Sequence, residues 1–476
     1  VRLFGFEVSR RAANACSATS RLVAAGAFAA AALLIGIPVR AQTPSTPTLQ
    51  LVHPQGQGAP PATITLHDAL ERAKKIDVTL QLALIDAEIA REDRVQAQAA
   101  RFPTVSERTE YLGTQGNGTV PSGRFVTNDG VHVYRQWGVL AQDLSPNTIL
   151  GTSYKRAQAS EAIARAKAEI AARGLEGVVT KNYYALVTAQ RRYATVQQAV
   201  QQAQRFLQVT QDQERLGQVA HVDVIKADLQ YQQNKQAFDD AVLAIENARL
   251  NLAVVILPGL NENFTVVDDL DSAQALPSFP EVQAMAEKQN PDLKLANETL
   301  RQAGFDVKSA KNAFLPTLTV VPVYGIEANA FALHSSQAAD PEHRVLSNLG
   351  YFITASLNIP VWDWGTLRSK LHQTQLHEQQ AQLQLTQTQR QLATNVYLFY
   401  NEAIAARSAV ESTRRSADLA TESLRLTVLR YQAGESTAQE VVDAQNLVIQ
   451  ARNAYDDAET RYRLAVGALQ TLTGGF

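Results

Sequence analysis

The chain has 476 residues, of which 45% are hydrophobic and 7% aromatic, with one cysteine and a formal net charge of −2. That length fits two or three ordinary domains or one large repetitive unit, and the Ala- and Gln-rich composition suits long helices better than a compact core. The mildly acidic balance argues against a nucleic-acid partner, which wants a basic face.

Residues 1–41 have the pattern of a signal peptide. Arg2, Arg10, Arg11 and Arg21 precede an apolar run from Leu22 to Ile37, and Val39-Arg40-Ala41 fits a small-x-small cleavage site. The run falls short of the ~20 residues of a membrane-spanning helix. Cleavage after Ala41 removes Cys16 and leaves 39 basic and 45 acidic side chains, a net charge of −6. Disulfides and Cys-ligated metals are then excluded. Residues 42–62, rich in Pro, Gln and Thr, read as an extended N-terminal leader. No later run of 18 apolar residues occurs, so the exported chain is expected in the periplasm, outside the cell, or in an outer membrane as a β-barrel.

From there the sequence repeats itself. TLHDALERAKKIDVTLQLA (65–83) aligns with SFPEVQAMAEKQNPDLKLA (278–296), and both open on a capping signal: Thr65 before Asp68, and Ser278 before Glu281. These predict opening helices over about 65–101 and 279–314. Phe102-Pro103 and Leu315-Pro316 end them. Strands are expected within about 103–145 and 316–361, in each case as a pair split by a polar loop, at 114–130 and 334–348. Pro146, Gly151 and Tyr183 match Pro360, Gly365 and Tyr397 at an offset of 214. A helix of about 70 residues, 147–216, follows, with a heptad-like seam of Tyr193, Val196, Val200, Ala203 and Leu207. Its counterpart carries Ala417, Ala420, Leu424, Val428 and Tyr431. Each long helix breaks at a glycine, Gly217 or Gly434, and returns: RLGQVAHVDVIKADLQ (215–230) and RYQAGESTAQEVVDAQ (430–445). The domain organisation is therefore repeat 1 over 63–260, with its tip near 217, and repeat 2 over 261–476, with its tip near 434.

Four strands per chain cannot close a membrane barrel, and open edges are not tolerated in lipid. Three chains sharing one barrel supply twelve strands. No HExxH, GxSxG or phosphate-loop motif is present, and His372 and His377 are five apart rather than the four that align two ligands on a helix. Neither catalytic residues, cofactor nor metal site is expected, and the chain reads as a non-enzyme.

The tandem repeat, the strand pair in each half, and the twin turns LGQVAHVDVIKA and YQAGESTAQEVVDAQ resemble the TolC-like outer-membrane efflux proteins from about residue 62 onward. That resemblance implies an α plus membrane β-barrel fold: a homotrimer with a shared 12-stranded β-barrel and a long periplasmic α-helical barrel. It implies an outer-membrane exit duct of a tripartite efflux or type I secretion system, working with a periplasmic adaptor protein and an inner-membrane transporter. The family's entrance acids fall on Glu440 and Asp443, which share a helix face; Thr437 and Glu440 also form a capping box, a second role for that acid. The family's gate contacts fall on Asp223 and Tyr431, with Ser436 where the family has the pairing arginine; Lys226, three residues on, is an alternative partner for Asp223. The adaptor-contact tips fall on Leu216, Gly217, Val219, Ala433 and Gly434, where the glycines also serve as plain helix C-caps. The rival reading is a periplasmic coiled-coil adaptor or spacer without a pore, which explains the hairpins but not the two matched strand pairs.

Overall fold

The computed structural model describes residues 62–114, 131–259, 264–272, 275–328, 331–334 and 347–475. The expected signal peptide, nearly all of the leader to residue 62, and most of both polar loops lie outside the described residues.

Each repeat begins with two helices where the sequence suggested one: α1 (Leu66–Ile76) and α2 (Val78–Ala99), then α6 (Phe279–Gln289) and α7 (Pro291–Asn312). The breaks are chemical. Asp77 and Asn290 adopt extended backbone and cap the second helix of each pair, accepting from Leu80 N at 2.7 Å and Leu293 N at 3.0 Å. Pro291, at the first helical position, also disfavours helix at Asn290. Both capping signals work: Asp68 N donates to Thr65 Oγ1 at 3.1 Å, and Ser278 N donates to Glu281 at 3.0 Å.

The long helices are α4 (Thr152–Arg215, 64 residues) and α8 (Thr366–Gln432, 67 residues), each about 100 Å at 1.5 Å per residue. Repeat 1 does not run straight into its long helix, as expected from 147. A single turn, α3 (Pro146–Ile149), comes first, and Gly151 sits left-handed at φ 64° before α4. The return helices are α5 (His221–Ile256) and α9 (Ala438–Thr473). Both heptad seams are buried or half-buried.

The three extra residues of α8 shift the repeat register from 214 to 217 partway along. Tyr183, fully buried, donates to Val267 O at 2.7 Å. Its counterpart is therefore Tyr400, which donates to Pro277 O at 3.1 Å, and not Tyr397, which is exposed. Tyr183 anchors the largest apolar cluster, where a short parallel ladder of β1 (Ala62–Ile64) and β4 (Phe264–Val266) packs on α4 and α5. Sequence reading missed this ladder, because three residues are too few to show an alternation.

The remaining strands form one antiparallel sheet in the order β2 (Thr104–Thr114), β3 (Val131–Asp143), β5 (Thr317–Ala328), β6 (Leu349–Asn358). The contrast between its two faces is confined to β5 and β6. Leu318, Val320, Pro322, Tyr324 and Ile326 pair with Leu357, Ala355, Ile353, Tyr351 and Leu349 on one face. Across β2 and β3 that face also carries Glu107 bonded to Gln136 at 2.7 Å. The other face is mixed: Thr317 and Thr319 pair with Asn358 and Ser356, and Arg135 bridges Glu110 at 3.3 Å and Glu327 at 2.9 Å across three strands, beside Val321, Val323, Phe352 and Trp137. An apolar face on β5 and β6, backed by a face that holds hydroxyls and an Arg–Glu bridge, suits strands between lipid and a wet lumen. β2 and β6 keep open edges. Ile353→Arg is expected to cost about 2–4 kcal/mol of membrane stability, and Thr354→Arg, one residue along and facing the other way, far less. Urea titration of each variant folded into vesicles reads the difference.

Among the described residues, no helix is long and apolar enough to cross a membrane.

Candidate functional site: the hairpin tips and a buried charge cluster

Both hairpins turn by the same device. Gly217 N donates to Glu214 O and Gln218 N to Gln213 O, both at 2.8 Å. Gly434 N donates to Tyr431 O at 3.0 Å and Glu435 N to Arg430 O at 2.9 Å. This pair of bonds needs a left-handed residue at the glycine, and φ is 70° at Gly217 and 78° at Gly434. Leu216, Ala433 and both glycines are exposed and Val219 is half-buried, so the five tip positions present a small, accessible surface.

The returns differ. Ala220 opens α5 without a side-chain cap, whereas Thr437 Oγ1 accepts from Glu440 N at 3.3 Å to open α9. Glu440 accepts from Ser436 Oγ at 2.8 Å and lies 3.9 Å from Arg430. The Ser436 hydroxyl, then the Thr437 backbone, hold its carboxyl below the usual range, so it stays ionised in mild acid. Asp443 accepts from Gln439 Nε2 at 2.8 Å. Both acids are exposed on one side of α9. Glu440 thus caps its helix and remains available to solvent.

Tyr431 is buried between the two hairpins. Its ring meets Phe206 of α4 at 5.1 Å, and its hydroxyl lies 3.4 Å from Thr210, itself fully buried. Ala227 of α5 and Ala438, Val441 and Val442 of α9 complete the cluster. Burial raises the phenol, with Asp223 adding to the effect. Asp223 is half-buried, and among the described residues its carboxylate pairs with neither Lys226 nor Ser436.

A second constellation escaped the sequence reading. Arg191, midway along α4, is ringed by four carboxylates. Its Nε is 2.5 Å from Asp268, and Nη2 is 3.3 Å from Asp271. Nη1 reaches Glu459 at 2.6 Å and Asp456 at 3.4 Å, both on α9 and both buried. Tyr455 donates to Glu459 at 2.5 Å. Burial raises the carboxyls of Asp456 and Glu459 against the pull of Arg191. Asp271 resists its own burial and is lowered, through Glu459 and then Arg191. Arg463 adds a second clamp, donating to the carbonyls of Asp269 and Ser272. The 268–272 segment, which follows β4, is therefore tied to both hairpins by arginine. Arg191-Arg192 in one half, and Asp456-Asp457 with Glu459 in the other, were the available signal: charges on helices whose other residues form an apolar seam. Among the described residues, no group of His, Cys, Asp or Glu is arranged to hold a metal ion.

A sheet with open edges at β2 and β6, apolar on one face of β5 and β6, joined to paired helical hairpins with matched tips, is the architecture of outer-membrane factors, which the chain resembles. The chain is TolC-like. The family described as outer membrane efflux protein matches residues 283–475. Outer membrane efflux protein BepC of Brucella suis biovar 1 (strain 1330) is 24% identical over 238 residues, 49% of this chain and 50% of that protein. The matched part of the chain thus spans about half of that relative's length. Outer membrane protein TolC of Escherichia coli (strain K12) is 23% identical over 417 residues, 83% of this chain and 79% of that protein. The open state of the MtrE outer membrane channel of Neisseria gonorrhoeae superposes with a TM-score of 0.70 at 19% identity, covering 86% of this chain and 89% of that one. The fold and the outer-membrane location expected from sequence are borne out.

Proposed function

We propose that three copies of the chain close a twelve-stranded barrel in the outer membrane and continue it into a periplasmic helical tube, forming the passive exit duct of a tripartite efflux or type I secretion system. The observation that carries this reading is the four-stranded sheet, apolar on one face of β5 and β6, with free edges at β2 and β6. In lipid such edges must pair with another chain. A spacer without a pore has no use for that face. Glu440 and Asp443, repeated three times, would ring the periplasmic mouth with up to six carboxylates and favour cations. Tyr431 and Asp223, with Ser436, belong to the gate in this reading. Leu216, Gly217 and Val219 with Ala433 and Gly434 meet a periplasmic adaptor, which couples the duct to an inner-membrane transporter. The family character of the chain speaks against an enzyme, and transport energy comes from the inner-membrane partner. Light scattering of the detergent-purified protein from an outer-membrane fraction tests the assembly: a mass of three chains is expected, and a monodisperse soluble monomer would favour the spacer.

A further inference from the structure

Every described junction between a helix and a strand of the sheet carries a similar two-tier pattern. Next to the strands the residues are apolar and uncovered. Phe102 precedes β2, Ile149 and Leu150 precede α4, and Phe314 and Leu315 precede β5, all exposed. Between β6 and α8, Trp362 and Trp364 are 75% and 88% exposed and stack edge to face at 5.6 Å. Trp364 also sits left-handed at φ 56°, a conformation few non-glycine residues adopt. The junctions share one level. The Asn312 amide donates to Asn147 at 2.9 Å and to Thr152 at 3.2 Å, and Arg101 lies 3.8 Å from where a Cβ of Gly151 would stand.

Within two turns of the helix ends the side chains become basic: Lys155, Lys308, Lys311, Arg368 and Lys370, with Arg101 just beyond the end of α2. Among the described residues none of these six pairs with a carboxylate. The nearby acids are engaged elsewhere. Asp306 pairs with Arg156, Asp363 caps Gly365 N and Leu367 N, and Asp143 holds Ser145 and Thr148. The first turns of α4 and α8 hold no acid, so Lys155, Arg368 and Lys370 stand near the positive ends of their helix dipoles. Lys155, Arg368 and Lys370, without a carboxylate partner and near helix N-termini, beside uncovered tryptophans, call for an anionic layer with an apolar interior.

We propose that this collar seats the protein in the periplasmic leaflet of the outer membrane. The tryptophans lie at the headgroup boundary, and the basic tier binds the phosphates of acidic phospholipids. The proposal rests on the outer-membrane reading of the sheet above and adds the lipid class and its residues.

The test uses trimers in vesicles, with Trp137→Phe as background, so that the other two of the three tryptophans report. Vesicles contain equal mole fractions of phosphatidylglycerol and phosphatidylcholine, with bromine on the chains of one or the other. Quenching is expected to be stronger from bromine near the glycerol end than near the chain terminus. It is expected to be stronger from phosphatidylglycerol, and Arg368→Gln with Lys370→Gln should abolish that preference while trimers still insert. Unquenched emission from inserted trimers would show the rings covered by protein and overturn the proposal. A phosphatidylglycerol preference unchanged in the double variant would overturn the basic tier. Failure of the background protein to insert, scored separately by protease protection, would sink the outer-membrane reading itself.

Discussion

Arg191→Ala is expected to destabilise the junction between the hairpins by about 3–5 kcal/mol at neutral pH, because it strands buried carboxylates without the cation that they share. The pH dependence follows from the shifts. Asp456 and Glu459 already have raised carboxyls, so the folded state favours their protonated forms. Their contribution is greatest below the unfolded carboxylate range and is lost as pH rises through the raised folded values. Asp271, lowered, has the opposite sign, but its shift depends on Arg191 and Glu459 and weakens with the substitution. Without Arg191 the remaining acids repel one another and rise further. The variant's deficit should therefore shrink on acidification from about pH 7.5 to about pH 5, by partial neutralisation of the cluster. Thermal melts of wild type and variant at both pH values measure this. A deficit independent of pH would mean that Arg191 acts by packing alone.

Tyr431→Ala is the second large effect. The ring fills the space between Phe206, Ala227 and Val441, so its removal leaves a cavity where the two hairpins meet, at a cost of about 3–5 kcal/mol. That loss falls on the contact between hairpins, near the turn that carries Ser436. Tyr431→Phe keeps the ring and loses only a 3.4 Å contact to Thr210, so it should cost about 1 kcal/mol or less. In resistant-core proteolysis the alanine variant should be cut near the tips while the phenylalanine variant is not. Equal protection of both would place the hairpin contact elsewhere.

The features legible in the sequence were those tied to a residue type with one physical role. Gly217 and Gly434 are glycines because the turn needs a left-handed residue, and their spacing betrayed the duplication. Pro103 and Pro316 marked the ends of helices, and the alternation through β5 and β6 marked a two-faced sheet. Less legible were features that depend on register in space. Asn290-Pro291 advertised a helix break, but Asp77 in the same role looks like any surface acid until it is seen capping Leu80. Matching Tyr183 to Tyr397 failed because three extra residues in α8 rotate the repeat by nearly one turn, which hands the role to Tyr400. The Arg191 cluster draws its members from positions 191, 268, 271, 456 and 459, and only the packed hairpins bring them together. At the tips the acids were found, but their bonds to Ser436 and Gln439 required side-chain geometry.

The central claim is a trimeric duct with an acidic periplasmic mouth, and single-channel current through the purified trimer in a planar bilayer tests it most directly. Small, discrete, cation-selective steps are predicted, with the cation preference lost in Glu440→Gln with Asp443→Asn. Trimers that insert yet pass no current, even when the Tyr431→Ala substitution loosens the hairpins, would contradict it.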